Sequence, residues 1–227
     1  RLVALAPAAA RSQRRFGGAL LPGARVKVRW RRAREGAARV LEEATLLSSP
    51  PRPDPLERFY TTTHLLELAG AFAREGNEDP RLYRLLRRLL ELAEGPRVAE
   101  LARYAEAWVL RLAGLLPEPE SCAACGRPLT GGTSALSPER GFTCPEHAEP
   151  GAVELSRRAV EWLAATRHTA PDALPPLPAG EHAALGAALR RLVVGFTERP
   201  LKAHGALERL RAAGGVPGDA DPGGGGR

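Results

Sequence analysis

The sequence predicts a mainly helical α+β protein, and three features of the chain support this. A strand-like alternation is confined to residues 1–47, helical periodicity runs through residues 55–211, and all three cysteines lie within residues 121–148. Alternation with a period of two is typical of strands, whereas apolar residues spaced by three and four indicate helices. We therefore expect a small β domain, a linker over residues 48–54, a helical domain with a cysteine-rich module, and a disordered tail over residues 212–227.

Three segments of the β domain have strand character. "RLVALA" at residues 1–6 is short and apolar, and "ARVLEEATLL" at residues 38–47 is a weaker third strand. The second segment, "ARVKVRWRR", places Val26, Val28 and Trp30 on one face. Its other face presents a basic row made of Arg25, Lys27, Arg29 and Arg31. We expect the apolar face to be buried and the basic row to face solvent.

The positive charge of the chain is concentrated at its N-terminal end. The net charge is +7, yet residues 1–40 hold eleven Lys or Arg and a single acid, Glu35. Such a footprint favours a polyanionic partner over a merely solvated strand face. A glycine-flanked loop adds Arg11, Arg14 and Arg15 beside Phe16, where cations can contact phosphates and an aromatic ring can stack on a base.

Helices are expected after the proline-rich linker "SSPPRPDP". Asp54 and Asp79 each precede a proline and are placed to cap the helices that follow. Leucines of the second helix recur at helical spacing, and Trp108 and Trp162 are expected in the core. The predicted helices span residues 55–75, 80–94, 97–115, 152–168, 181–197 and 202–213.

The cysteine-rich module has the ligand spacing of a zinc site. Cys122 and Cys125 form a CxxC pair followed by Gly126, and Cys144 and His147 form a CxxH pair after a hairpin-like insert. Two close pairs separated by fifteen to twenty residues are typical of tetrahedral Zn²⁺. Four protein ligands leave no open position, so we expect one structural zinc rather than a catalytic one. A DNA-reading finger is not favoured, because no basic recognition helix follows the second pair.

The remaining residues do not indicate an enzyme. His64 is expected to be a packing or capping histidine, while His168, His182 and His204 have no clustered partners in the sequence. No phosphate-binding loop, dinucleotide turn, nucleophile elbow or HExxH motif is present. No catalytic residue is assigned.

The composition also favours an intracellular setting. The chain contains no run of eighteen apolar residues and no secretory leader pattern, and an odd number of cysteines suits a reducing compartment. We expect a cytoplasmic, nucleoid-associated protein without a membrane partner. Because methionine is absent and the chain opens on a strand-like segment, we also expect its natural beginning to be missing.

The order of these segments resembles the bacterial RecO family of recombination mediators. The resemblance lies in "RLVA…ARSQRRFGGALLPG", in "YAEAWVLRLAGLLPEPESCAACG" and in "ERPLKAHGALERL". It implies an N-terminal OB-fold, of which residues 1–47 would supply the last three of five strands, followed by a helical domain with an inserted zinc module. Lys202 matches a basic position of the family, whereas His204 stands where relatives commonly have arginine.

The resemblance further implies binding of single- and double-stranded DNA and annealing of complementary strands. The implied partners are RecR, the single-stranded-DNA-binding protein (SSB) and, indirectly, RecA. For the acidic SSB tail we expect a groove between the late helices, near Arg190, Arg191, Arg199 and Lys202. Two alternatives remain open: a zinc-stabilised helical interaction module that binds RNA or a protein, and an unrecognised enzyme.

Overall fold

The computed structural model describes residues 1–7, 9, 16, 19–32, 39–129 and 132–213. These residues form a mixed, mainly helical structure, as the sequence predicts, and no closed barrel is present among them. In chain order the elements are β1 (Arg25–Arg32), β2 (Arg39–Ser48), α1 (Leu56–Phe72), α2 (Pro80–Leu92), α3 (Val98–Leu112), β3 (Ser134–Ser137), β4 (Gly141–Thr143), β5 (Val153–Leu155), α4 (Arg157–Ala165), α5 (Ala179–Thr197) and α6 (Lys202–Ala212).

Strands β1 and β2 form an antiparallel two-stranded ribbon. Two register irregularities, at Arg25/Val26 and Arg29/Trp30, interrupt the alternation of side chains along β1. The predicted burial of the apolar face is wrong for Val28 and Trp30, which are 44% and 39% exposed. The physical reason is that, within the described residues, little covers a ribbon of two strands: the buried apolar residues of the core associated with it are Phe16, Ala19, Leu41 and Ala44.

The first predicted strand, residues 1–6, is not formed as a strand. Only Leu5 makes a β-bridge, to Val40, and residues 1–3 are exposed. The backbone of Arg1 is instead bonded to the loop after α1, where its carbonyl accepts from Gly76 at 2.9 Å. The described ribbon thus has two strands where three were expected, and the OB-fold stays a prediction.

The helices pack around one core that supplies most of the buried apolar surface. Fully buried leucines from α1, α2, α3 and α5 meet there, and Trp162 of α4 is 3% exposed, as predicted. Trp108 is half-buried against the same core and donates from Nε1 to the Thr166 carbonyl at 3.0 Å. Burial of such side chains contributes about 1.5–3 kcal/mol each, so this core dominates the stability of the fold.

The cysteine-rich module folds onto this core and is not separate from it. Strands β3, β4 and β5 form an antiparallel sheet in the order β4-β3-β5. Leu136, Phe142 and Leu155 are at most 1% exposed and belong to the same cluster as the helix leucines. The hairpin expected between the cysteine pairs is confirmed as β3 and β4, but the segment buries more apolar surface than its polar composition suggested.

The helix boundaries agree with prediction within a few residues, with two corrections. The helix predicted over 152–168 is wrong at its start, because residues 153–155 pair with β3 as β5 and α4 begins only after the Ser156 cap. Asp79 caps α2 as predicted, accepting from the Arg81 and Leu82 amides. The predicted Asp54 cap is wrong, since Pro55 is the cap residue of α1 and no side-chain capping bond forms.

Two further expectations concern regions that are only partly described. The tail predicted to be disordered lies outside the described residues from residue 214 onward. Among the helices that the structure does describe, none combines the length and apolar character that crossing a membrane requires.

Candidate metal centre and basic ribbon

The structure brings together all four predicted zinc ligands. The thiol sulfurs of Cys122, Cys125 and Cys144 and a ring nitrogen of His147 lie within 4.8 Å of one another. Cys122 and Cys144 are buried, whereas Cys125 and His147 are exposed, so the centre lies at the edge of the module. Cys144 Sγ lies 3.1 Å from His147 Nδ1.

Short backbone turns place each ligand pair. The Gly126 amide donates to the Cys122 carbonyl at 2.8 Å, and Gly126 adopts a φ of 71°, a left-handed conformation that favours glycine. The second pair brackets a short 3₁₀ turn over Pro145–His147, in which the His147 amide donates to the Cys144 carbonyl at 3.0 Å. Each pair therefore presents two ligand atoms at one corner of the module.

The two buried thiols differ in acidity. Burial opposes ionisation of Cys122, but backbone amides of the knuckle and of Cys144 lower its thiol pKa to about 6. Burial and a hydrogen bond with Cys122 raise the pKa of Cys144. Cys122 is therefore the first of the two to become a thiolate, the form that binds a metal.

This donor set fits a four-coordinate metal ion. Tetrahedral zinc with Zn–S bonds of about 2.3 Å holds its sulfur ligands about 3.8 Å apart. Ligand atoms within 4.8 Å of one another need only small shifts to reach that spacing. The three cysteines and the histidine can therefore hold a metal together.

The two arginines of the module insert are bound to acids within the module. Arg127 Nη1 lies 3.0 Å from Glu146 Oε1, and Arg140 pairs with Glu149. These ion pairs are internal to the module and exposed at its surface. Whether the module contacts DNA bases stays a matter of prediction.

The basic row of β1 faces solvent, as its side-chain exposure shows. Arg29 and Arg31 are 70% and 54% exposed, but both pair with Glu42 of β2, and Arg29 also lies 3.2 Å from Glu43. Arg25 and Lys27 are exposed, and no ion pair involves them within the part of the chain that the structure describes. The two halves of the row therefore differ: one is neutralised by the neighbouring strand and the other is available to an anion.

The prediction that Phe16 stacks on a base is wrong. Phe16 is 3% exposed and belongs to the small core beneath the ribbon, so its ring is not accessible. Trp30, assigned from the sequence to the buried face, is instead 39% exposed, with the Arg39 guanidinium 5.6 Å from its ring centroid. Arg11, Arg14 and Arg15 lie outside the described residues and stay predictions.

Two of the four residues predicted for the partner site line one groove. Arg190 and Arg191 of α5 line a groove of about 620 Å³ between that helix and the metal module. Pro200 lines the groove as well, but Arg199 and Lys202 do not. Lys202 begins α6, and its backbone amide donates to Glu67 Oε1 at 3.0 Å.

Sequence reasoning missed a second, fully buried polar cluster. His64 of α1, Glu106 of α3 and His204 of α6 are at most 3% exposed, although their positions in the sequence are far apart. Glu106 Oε1 lies 2.8 Å from His64 Nε2 and 3.1 Å from His204 Nδ1. The sequence-based view that His204 has no clustered partner is wrong, because no local spacing signals a site that three separate helices assemble.

A buried arginine completes this cluster. Arg103 is fully buried, and its Nη1 lies 3.0 Å from Glu106 Oε2 while its Nη2 lies 2.8 Å from Glu208 Oε1. Burial opposes ionisation of Glu106, but the Arg103 charge and the two imidazole hydrogen bonds hold its pKa well below the usual range. The cluster therefore contains a carboxylate that is charged and fixed in orientation.

Taken together, these features define a mainly helical protein that carries a candidate metal centre and a basic β ribbon. Residues 54–204 match the family model described as "Recombination protein O C terminal". The chain belongs to the RecO family.

Relatives named DNA repair protein RecO align with about three quarters of the chain or more. The DNA repair protein RecO of Geobacter sulfurreducens is 30% identical over 211 residues, which cover 91% of this chain and 85% of the relative. The protein of the same name from Pelobacter propionicus is 28% identical over 212 residues, covering 93% and 85%. That from an Anaeromyxobacter species is 33% identical over 177 residues, covering 73% and 69%.

Proposed function

We propose that this chain is a recombination mediator in DNA repair, acting in the cytoplasm on the nucleoid. It binds single- and double-stranded DNA, anneals complementary strands and, with RecR, helps RecA load on DNA covered by SSB. Membership of the RecO family and the names of its relatives as DNA repair proteins support this role. The role requires no bond to be made or broken, so no catalytic residue is assigned.

The observation that carries the proposal is the exposed basic row of β1. Arg25 and Lys27 are available to phosphates, and exposed Trp30 offers a ring on which a base can stack. Arg29 and Arg31 also bind phosphates, which displace the carboxylates of β2 from them. This exchange costs little free energy because the ion pairs are exposed. The neighbouring loop contributes Arg11, Arg14 and Arg15.

Annealing follows from the same charges. Each phosphate contacted by Arg or Lys releases condensed counterions, so binding is strong at low salt and independent of sequence. Two strands held on one basic surface repel each other less than they do in water. Complementary bases can then meet without any specific contact from the protein.

The Cys122, Cys125, Cys144 and His147 set holds one structural Zn²⁺ in this proposal. Bound zinc would fix the two ligand pairs and thereby the sheet that packs against α5. The DNA contacts remain the task of the ribbon.

The proposal is tested by fluorescence anisotropy with labelled single-stranded DNA across a salt series. Removing two phosphate contacts by Arg25→Ala with Lys27→Ala should reduce the slope of log K against log salt by about 1.4. Arg157→Ala with Arg158→Ala removes the same charge from exposed positions of α4 and should leave the slope nearly unchanged. Equal effects of the two double variants would contradict the assignment of the ribbon.

The same samples distinguish the main alternative. Acceleration of complementary-strand annealing by the unmodified chain, reduced in the β1 variant, is the expected result. Tight binding of structured RNA with weak binding of single-stranded DNA would instead favour an RNA-binding interaction module.

The groove beside the metal module is the proposed site for the acidic SSB tail. Two exposed arginines, Arg190 and Arg191, lie beside apolar lining residues such as Val194, which suits a peptide that is both acidic and apolar. Arg199 and Lys202 add positive charge nearby without lining the groove. Arg191→Glu should abolish binding of a labelled acidic tail peptide, whereas unchanged binding would exclude this groove.

A further inference from the structure

The buried cluster of His64, Glu106 and His204 has the donor set of a second metal site. Two imidazole nitrogens and a carboxylate oxygen lie within 4.8 Å of one another. Neutral imidazole and carboxylate ligands are those that Zn²⁺ and the neighbouring first-row divalent ions accept. The set contains no thiol, which distinguishes it from the Cys122 centre.

Both imidazole nitrogens lie against one carboxylate oxygen. His64 Nε2 and His204 Nδ1 approach Glu106 Oε1 at 2.8 and 3.1 Å, and all three donor atoms lie within 4.8 Å of one another. A tetrahedral ion with bonds of about 2.0–2.1 Å separates its ligands by about 3.3 Å. Each nitrogen–oxygen separation would therefore lengthen by about half an ångström or less when an ion enters.

The carboxylate of the cluster has an outer partner, whereas the ring nitrogen His64 Nδ1 is buried without a hydrogen bond in the part of the chain that the structure describes. Arg103 Nη1 lies 3.0 Å from the second oxygen of Glu106, an ion pair that orients the carboxylate as outer partners of metal ligands commonly do. Glu208 pairs with Arg103 from its other side and with Arg211, so the charge of Arg103 is shared between two carboxylates. Arg190 also lies at the site, but its side chain is exposed, so solvent screens its charge.

A small cavity touches all three donors. Its volume is about 10 Å³, and its lining includes His64, Glu106 and His204. That is room for about one water molecule, which would complete a four-coordinate sphere.

We propose that His64, Glu106 and His204 bind one divalent first-row transition-metal ion, joining α1, α3 and α6. This site is independent of the proposed DNA-binding function and of the cysteine centre. Such an ion would attach the last helix to the body, so its loss would weaken the docking of α6 first.

The test begins with metal analysis of the full chain, purified without chelators and then supplied with Zn²⁺. Two equivalents are expected. Cys125→Ser should keep one equivalent, and Cys125→Ser with His204→Gln should keep none. His168→Gln is the matched control, since His168 is exposed and outside the cluster, and it should keep both. Two equivalents retained in His204→Gln, or a single equivalent in the unmodified chain that Cys125→Ser removes, would overturn the proposal.

A second measurement needs no substitution and so does not depend on how the variants fold. Co²⁺ is titrated into the metal-free chain while its absorption is recorded. One equivalent should produce the thiolate charge-transfer band of the cysteine centre, and a further equivalent should add visible ligand-field absorption without that band. Saturation of all bands at one equivalent would mean that the cluster is only a hydrogen-bonded core element.

Discussion

Replacing Gly186 by alanine should destabilise the fold through a single contact between α5 and α3. A methyl group at this position would lie 1.9 Å from Arg103 Nη1 and 2.7 Å from its Cζ. Ordinary contact begins near 3.4 Å, so the guanidinium would have to move by about 1.5 Å. Arg103 is fully buried and held by Glu106 and Glu208 on two sides, so that movement would break at least one buried ion pair.

The magnitude follows from those two terms. Overpacking of a filled core costs about 1–3 kcal/mol, and disruption of a buried ion pair costs about 3–5 kcal/mol. At their lower ends the two terms sum to about 4 kcal/mol, and about 1 kcal/mol is regained because alanine favours a helix more than glycine does, so we expect the free energy of unfolding to fall by about 3 kcal/mol. For a chain of this size that corresponds to a melting temperature lower by about 6–12 °C.

The measurement is urea denaturation followed by circular dichroism, with Gly195→Ala as the control. Gly195 lies in the same helix, and a methyl group there would meet no atom within 4 Å. The control should be stabilised by about 0.5–1 kcal/mol, because alanine loses less backbone freedom than glycine in a helix. If both variants unfold within 0.5 kcal/mol of each other, Arg103 does not occupy the space above Gly186 as described.

Further expectations concern acidity, capping and charge. Burial, followed by nearby arginine charges, lowers the pKa of His182 to about 4, below its usual 6.5. The unfolded chain therefore binds this proton at a higher pH than the folded chain does, and about 3 kcal/mol of stability is lost as pH falls from 6.5 to 4. His182→Gln should lose less stability over this range. Parallel curves of unfolding free energy against pH for the variant and the unmodified chain would refute the prediction. Asp79→Ala should cost about 1 kcal/mol in urea denaturation through loss of its cap, whereas Asp54→Ala, which removes no capping bond, should cost less than about 0.5 kcal/mol. Glu42→Gln releases Arg31 and leaves Arg29 paired with Glu43 alone, so it should tighten single-stranded DNA binding about two- to fivefold at low salt, as anisotropy would show. Weaker binding would mean that this carboxylate orients the row.

Features encoded locally were predictable from the sequence. The Asp79–Pro80 cap and the leucine spacing of α2 define that helix without help from the rest of the chain. The clustering of the candidate metal ligands was predictable for the same reason, because Cys122 and Cys125 lie within one turn of backbone and their partners form an equally short pair. In such cases the spacing of the residues along the chain determines their spacing in the structure.

Features that depend on distant partners were not predictable. Alternation assigned Trp30 to a buried face, but whether a face is buried depends on what packs against it, and the residues that the structure describes cover little of the ribbon. His64, Glu106 and His204 come from three helices, so only the packing of those helices brings the donors together. Residues 153–155 have no strong helical preference of their own. They form a strand because the edge of β3 is available to pair with them.

The burial of Leu136, Phe142 and Leu155 in the helical core makes the module and the helices one cooperative folding unit. An insertion attached only at its ends could open while the rest of the domain stays closed. Here, opening the sheet would expose part of the core shared with α5, so the two must unfold together. The rate of amide hydrogen exchange in α5 would then depend on whether a metal ion is bound at the cysteine centre, which lies tens of residues away in the sequence.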